Sequence, residues 1–263
     1  MLREFRFYRM QIKLHLLSGL EYKGWWMMVL QVLTVCITDP IAIIFMFMRF
    51  GGIGVWTFER IILIYAIAVT SYGLAESFFR GFDYFPWHML RSGNFDRLLL
   101  RPKSLFSQVA SSFFHIHRMA RPVAGTCVII WALVSMNISI SFYNMTMLFT
   151  ALAGGVITYA GVYVMSSGIA FFTVKALDWI YIFTNASYQI TRIPPEYMPG
   201  FLKKPFTFFM PMLVISYYPA SAICGWGDAS WLGWLALPAG TAFLGFSLIL
   251  WQIGVKHYKS TGS

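Results

Sequence analysis

Long apolar runs alternate with short polar and basic connectors along the chain. Several of these runs approach the length of about 20 residues that a helix needs to cross a hydrocarbon core. The first, Trp25 to Met48, carries Asp39-Pro40 near its middle, a pair that predicts a kink and a freed carbonyl. The second, about Ile61 to Phe79, follows a glycine-rich turn after Arg49 and holds Tyr72 and Glu76 toward its inner end. A third run, about Met119 to Met136, is entered by a polar helix containing His115, His117, Arg118 and Arg121. The fourth, about Met147 to Phe171, includes Gly154, Gly155, Gly161 and Gly168, which permit close helix contact. The last clear span is Trp231 to Ile253.

Between the fourth and last runs the pattern is mixed. Residues 175–193 are only moderately apolar and hold Asp178, Asn185, Tyr188, Gln189 and Arg192. Pro194, Pro195, Pro199, Pro205, Pro211 and Pro219 follow, too many for one straight spanning helix. Basic residues at both ends, Arg3 to Lys23 and Lys256 to Lys259, place both termini on the cytoplasmic side, so the number of crossings is even. Two arrangements satisfy this. Either residues 176–193 form the fifth span and 206–223 a re-entrant outer hairpin, or 206–223 is the fifth span and the preceding segment is cytoplasmic. Lys203 and Lys204 favour the second arrangement and the proline spacing favours the first.

Composition agrees with a membrane protein. Of 263 residues 58% are hydrophobic, 19% aromatic and only 11% charged, and mean hydropathy is +0.64. The expectation is a single all-α integral membrane domain over residues 1–263, with about six spans. The net charge of +10 lies beside the apolar runs, as the positive-inside rule requires, and does not indicate nucleic acid. The first 23 residues interleave Arg3, Arg6, Arg9 and Lys13 with Phe5, Phe7, Tyr8 and Met10. That pattern suits a helix lying on an anionic leaflet rather than a cleavable signal. Cys36, Cys127 and Cys224 have no ligand spacing and read as apolar fillers.

Catalytic signatures are missing: there is no GxxxxGK[ST], GxSxG, HExxH or helix-opening GxGxxG. No metal site is expected, and no internal repeat of the kind secondary transporters carry is evident. The segment with most local information lies in the basic loop, residues 80–105. Ser92-Gly93-Asn94 reads as a helix stop and restart, Asp96 complements the next helix dipole, and Pro102 ends a helix of about two turns. Phe95, Leu98 and Leu99 form its apolar face, and Arg91, Arg97, Arg101 and Lys103 its basic rim. Such a helix either rests on headgroups or serves as a peg for a soluble partner's groove.

Gly93, Asp96, Leu98, Leu99 and Pro102 give G-x-x-D-x-L-L-x-x-P. This resembles the G-T-L-E-x-L-L-x-x-P signature between the second and third spans of the second superfamily of ABC exporter permeases, with Asp in place of the usual Glu. The string GNFDRLLLRP is similar to that of a subfamily whose permeases are often encoded in adjacent pairs beside a separate ATPase. Pro194 and Pro199, within IPPEYMPGFLKK, are spaced like the FP....P.WL element after the fifth span of that superfamily, and FFMPMLVISYYPA, residues 208–220, resembles its proline-tyrosine segment.

The resemblance implies the transmembrane subunit of an ATP-driven exporter in a bacterial-type inner membrane. It would work with two ABC ATPase subunits and a second permease, identical or related, with ATP and magnesium held on the ATPase chains. Residues 1–23 become an interfacial helix. The loop helix becomes a coupling helix in which Phe95, Leu98 and Leu99 are the anchors, Asp96 and Arg101 the polar rim, and Gly93, Asn94 and Pro102 complete the motif. Residues 194–223 become an extracellular re-entrant gate, which selects the first of the two arrangements above. Asp39, Tyr72, Glu76, Asn185 and Tyr188 are candidate pathway residues, because polar groups at membrane depth tend to face a cavity or a partner. The abundance of Phe, Trp and Met suits a lipid-like substrate, although aromatic belts account for much of it. An ATPase-independent secondary transporter or channel is the alternative, and its only plausible mid-membrane carboxylates are Asp39 and Glu76.

Overall fold

A computed structural model describes residues 2–21, 23–50, 56–173, 189, 195–226 and 230–259. Among these there is no strand. The helices are α1 (Leu2–Glu21), α2 (Trp25–Phe50), α3 (Phe58–Phe85), α4 (Phe95–Leu99), α5 (Leu105–Ala110), α6 (Ala120–Ser135), α7 (Phe142–Ala170), α8 (Gly200–Lys204), α9 (Met212–Ile215), α10 (Tyr217–Cys224) and α11 (Ala236–His257). Among the described residues five helical stretches are long and apolar enough to cross a membrane: Trp25–Phe45, Phe58–Leu90, Ile116–Ser135, Phe142–Ala170 and Trp231–His257. A sixth is counted if the bent pair Gly200–Phe209 and Met212–Cys224 is one span. The chain is a multi-pass membrane protein.

α3 is the central element. Most of its apolar residues are buried, and it packs along α6 and α7. α7 in turn packs along α11 through glycines, because a backbone-to-backbone approach leaves no room for side chains. A Cβ on Gly240 would lie 2.6 Å from the Gly154 carbonyl oxygen, and one on Gly254 would lie 2.9 Å from that of Gly168. Of the four glycines seen in the sequence, Gly154, Gly161 and Gly168 mark the face that meets the last span, and Gly155 faces Ser71 of α3.

α2 remains helical through Pro40, and the Cys36 carbonyl, which lacks an N–H partner at Pro40, accepts from the Tyr65 hydroxyl at 3.5 Å. One expectation about helix limits is corrected. α3 does not end near Phe79. It runs to Phe85 and continues as a wider π turn through Leu90, so residues 80–90 belong to a helix and the connecting loop begins near Arg91. Its polar residues find partners within the protein, which removes the reason for the helix to stop.

The two ends of the bundle can be told apart by their contacts. Tyr8 of α1 donates to the Phe78 carbonyl at 2.8 Å, the Glu4 carboxylate accepts from the Ser104 amide at 3.4 Å, and Tyr258 packs on Phe95. Both termini thus stand at the end that carries the basic loop. At the opposite end Trp56 packs on Tyr217 and Trp226. α7 finishes at the basic end, where Phe171 meets Phe95. Glu196, where the chain is again described, lies at the opposite end, accepting from the Tyr217 hydroxyl at 2.7 Å. Residues 176–193, expected as the fifth span, lie outside the described residues.

The proline-rich stretch is broken as its composition predicts. Helix Gly200–Phe209 and helix Met212–Cys224 meet at 68° across Met210-Pro211. Phe209 at the break packs against Phe243 and Phe246 of α11, whereas both flanks of the pair meet the cluster around Trp56. Gly225, in the left-handed region at φ 67°, ends α10.

The glycine seam yields a test. Gly154→Val places its side chain against the backbone of Ala236, and overpacking of this kind costs about 1–3 kcal/mol. Thermal unfolding of the detergent-purified protein should show a clearly lowered midpoint. Gly245→Ala on α11, away from the seam at a position with open space around it, should leave the midpoint unchanged or slightly raised.

Candidate functional site

Two sites emerge near the basic end, one of charge and one of aromatic packing. The first is built around Glu76, which is only 3% exposed. Arg80, one turn later on α3, donates to its Oε1 at 2.8 Å. Arg118 also donates to Oε1, and Arg121 donates to Oε2 at 2.5 Å. Arg80 pairs with Asp83 at 3.2 Å, and Arg118 donates to the Tyr84 hydroxyl at 3.1 Å. The Arg121 guanidinium lies over the Tyr72 ring at 5.2 Å from its centre, and Arg80 over Tyr84 at 5.0 Å. Three guanidinium groups thus share one buried carboxylate and a neighbouring one, an arrangement that fixes the start of the third span against α3.

The sequence placed Tyr72 and Glu76 among pathway candidates, and the structure brings both into this cluster. Tyr72 also packs edge-on to Tyr159 at 5.3 Å. The sequence pattern places Arg118 and Arg121 in a polar helix entering the third span and does not single out Arg80. The available clue was spacing: Glu76 and Arg80 stand at i,i+4, and Arg118 and Arg121 at i,i+3, so each pair shares a helix face. Asp39 lies apart from the cluster, accepting from the Tyr65 hydroxyl at 3.4 Å across the α2–α3 seam. Asn185 and Tyr188 lie outside the described residues.

Beside the cluster, His115 and His117 do not sit on a regular polar helix as expected. His115 caps a short 3-10 turn and the two rings stack at 5.3 Å. Burial, with help from the Arg118 cation, pushes the His115 imidazole down to about 4. Among the described residues no group of three or more His, Cys, Asp or Glu side chains stands together as a metal site.

The second site is α4. Gly93 adopts φ 72°, the left-handed conformation that a glycine adopts without strain, and so turns the chain into the helix. Asn94 does not cap it; its Nδ2 donates to the Ser92 hydroxyl and the His88 carbonyl instead. The helix has five residues, shorter than the two turns expected, and ends before Pro102. Gln108 ties its end down, donating to the carbonyls of Leu98 and Lys103, each at 3.1 Å.

The three expected anchors separate. Phe95 is fully buried in its own chain, against Phe85 at 5.3 Å, Phe171 at 5.4 Å and Tyr258 at 4.8 Å, with Trp251 behind them. It is therefore an internal anchor and not one offered to a partner. Leu98 is half-buried against the same core, and Leu99 is exposed. Asp96 lies beside Tyr258, whose phenol is pushed up by burial and by that carboxylate. Arg101 and Pro102 are exposed.

Glu76→Gln should cost several kcal/mol, about 3–5, because it leaves three guanidinium groups without their shared charge. Arg121→Gln should cost less, since Arg80 and Arg118 still hold the carboxylate. Thermal unfolding of both variants in one detergent ranks them.

Comparison with known proteins bears on both sites. Neither the curated proteins nor the solved structures include a match to the chain. A family model described as ABC-2 family transporter protein matches residues 33–262, from within α2 to beyond the end of α11. That stretch takes in the charge cluster and the whole of α4, and the chain belongs to the ABC-2 family of membrane transporter proteins.

Proposed function

We propose that the chain is the transmembrane subunit of an ATP-driven exporter, forming half of a translocation pathway and coupling through α4 to separate ATPase subunits. The observation that carries this reading is the division of α4 between an internal anchor, Phe95, and an outward face of Leu99, Leu100 and basic residues. A helix of five residues gains little stability of its own. Here Phe95 holds it rigidly at the tip of α3, which suits it to receive force from a partner and pass it to α3, α7 and α11. The cytoplasmic assignment of this end follows its basic charge.

In this reading α1 is the interfacial helix. Its outward residues alternate between Arg6, Arg9 and Lys13 and the exposed Phe5, Met10, Leu14 and Leu17, as a helix on anionic headgroups requires. The bent pair Gly200–Phe209 and Met212–Cys224 is the extracellular re-entrant element, because both of its flanks meet the Trp56 cluster. The second permease, the same chain or a relative, lies against α2. That span is almost wholly exposed in the isolated chain and carries Gln31, Thr34 and Thr38 in one exposed stripe, at a spacing of i, i+3, i+7. The Thr34 and Thr38 hydroxyls donate to the Leu30 and Thr34 carbonyls of their own helix, so it is the exposed Gln31 amide that points to a pathway or partner helix. Asp39 stands beside the stripe. ATP and magnesium are bound by the ATPase chains, two per complex, in a bacterial-type inner membrane.

An ATPase-independent transporter or channel would need a carboxylate open to an ion at membrane depth. Glu76 is enclosed by three guanidinium groups and Asp39 is hydrogen-bonded to Tyr65, which weighs against that alternative.

Tagged protein purified from its native membrane should carry an ABC ATPase identifiable by mass spectrometry, and the purified complex should hydrolyse ATP. Replacing the phosphate-binding lysine of that ATPase should abolish both hydrolysis and transport. Transport that persists without the ATPase, driven by an ion gradient, would contradict the proposal.

A further inference from the structure

The outward side of α4 is chemically divided, and the division specifies its partner. Leu99 is 46% exposed and Leu100 is 86% exposed, an apolar pair standing out from the basic end. Beside them a cavity of about 310 Å³ opens between α4 and Phe113, lined in part by His88, Asn94, Arg97, Arg101 and Ser112. No carboxylate is among its described lining residues, and Asp96 is set on the other side beside Tyr258. The Asn94 amide and the Ser112 hydroxyl already donate within the chain, so the cavity offers an incoming group chiefly the two guanidinium groups, with the His88 ring beside them.

Depth separates a protein partner from lipid headgroups. The helical stretch Phe58–Leu90 has 33 residues and at about 1.5 Å per residue runs about 50 Å. A bilayer takes about 30 Å of hydrocarbon plus about 5–8 Å of headgroup on each side. With Trp56 and Arg60 marking the boundary at the opposite end, the tip of this helix extends beyond the headgroups, and α4 follows it.

We propose that α4 docks by a two-way contact: Leu99 and Leu100 enter an apolar depression on the ATPase, while a carboxylate side chain of the ATPase enters the Arg97–Arg101 cavity. The inference rests on the reading of α4 as the ATPase contact. It adds that the matching ATPase surface is acidic around an apolar floor, and that Phe95 takes no part in the contact. Guanidinium groups suit a carboxylate because their paired donors match its two oxygens.

The test uses the complex of the full chain with its co-purifying ATPase in nanodiscs. Arg97→Glu combined with Arg101→Glu should weaken ATPase binding about tenfold or more and reduce its sensitivity to added salt. Leu100→Asn, which removes the apolar contact and adds no charge, should weaken binding without changing that sensitivity. All three positions are exposed, and an unchanged thermal midpoint confirms that the variants fold. Arg97→Lys supplies an independent readout: a zero-length carbodiimide should join its amine to an Asp or Glu of the ATPase, found as a crosslinked peptide. A wild-type complex that forms, together with a charge-reversed variant of unchanged affinity and salt dependence, would overturn this inference alone. So would a reversal that affects only binding of vesicles rich in anionic lipid, which would assign the surface to headgroups. If the wild-type chain holds no ATPase, the functional reading fails as well.

Discussion

The Glu76 carboxylate, held by Arg80 from its own helix and by Arg118 and Arg121 from the next span, is the interaction on which the inner half of this protein depends. A buried carboxylate is tolerated only when its charge is neutralised and its oxygens are hydrogen-bonded. Once that condition is met, α3 can carry charge through the membrane boundary without unwinding. The helix continues to Leu90 instead of breaking where the sequence turns polar. α4 is consequently carried on a long rigid element that also forms the buried centre of the bundle.

From that tip two routes lead back into the spans. Phe95 reaches Phe85 on α3, Phe171 at the end of α7 and Tyr258 just after α11, so one side chain touches three elements. α7 and α11 are themselves joined along glycines whose backbones nearly touch. Displacement of α4 would therefore move a set of tightly packed helices together, because close-packed interiors transmit strain. α2 stands outside this set, with little of its surface buried. In the proposed function, this outer helix is the surface offered to a second permease.

Much of this was legible in the sequence because lipid imposes simple rules. The spans followed from hydropathy, the glycine face of α7 from its small residues, and the broken segment from its prolines. The end of α3 is hard to place from pattern because Arg80 and Asp83 resemble the start of a loop, whereas in the fold Arg80 pairs with Glu76 and Asp83 on its own helix. Glu76 is in turn held by Arg118 and Arg121, which lie 42 and 45 residues away in sequence, and single-sequence spacing does not report such pairings. For α4, pattern identified the apolar residues but not their division. Whether Phe95 or Leu99 turns inward depends on where Phe171 and Tyr258 arrive, which only tertiary structure determines. The helix stop and restart at Ser92-Gly93-Asn94 is legible in the sequence, but the positive φ of Gly93 and the grip of the Asn94 amide on the preceding turn, which leaves α4 uncapped, are not.

The most direct measurement is a cryo-electron microscopy map of the chain with its co-purified ATPase in a lipid nanodisc. The account predicts α4 covered by an ATPase subunit at Leu99 and Leu100, with Phe95 still enclosed by Phe85, Phe171 and Tyr258. A map in which α4 meets only lipid or solvent, with the ATPase absent or bound elsewhere, would contradict it.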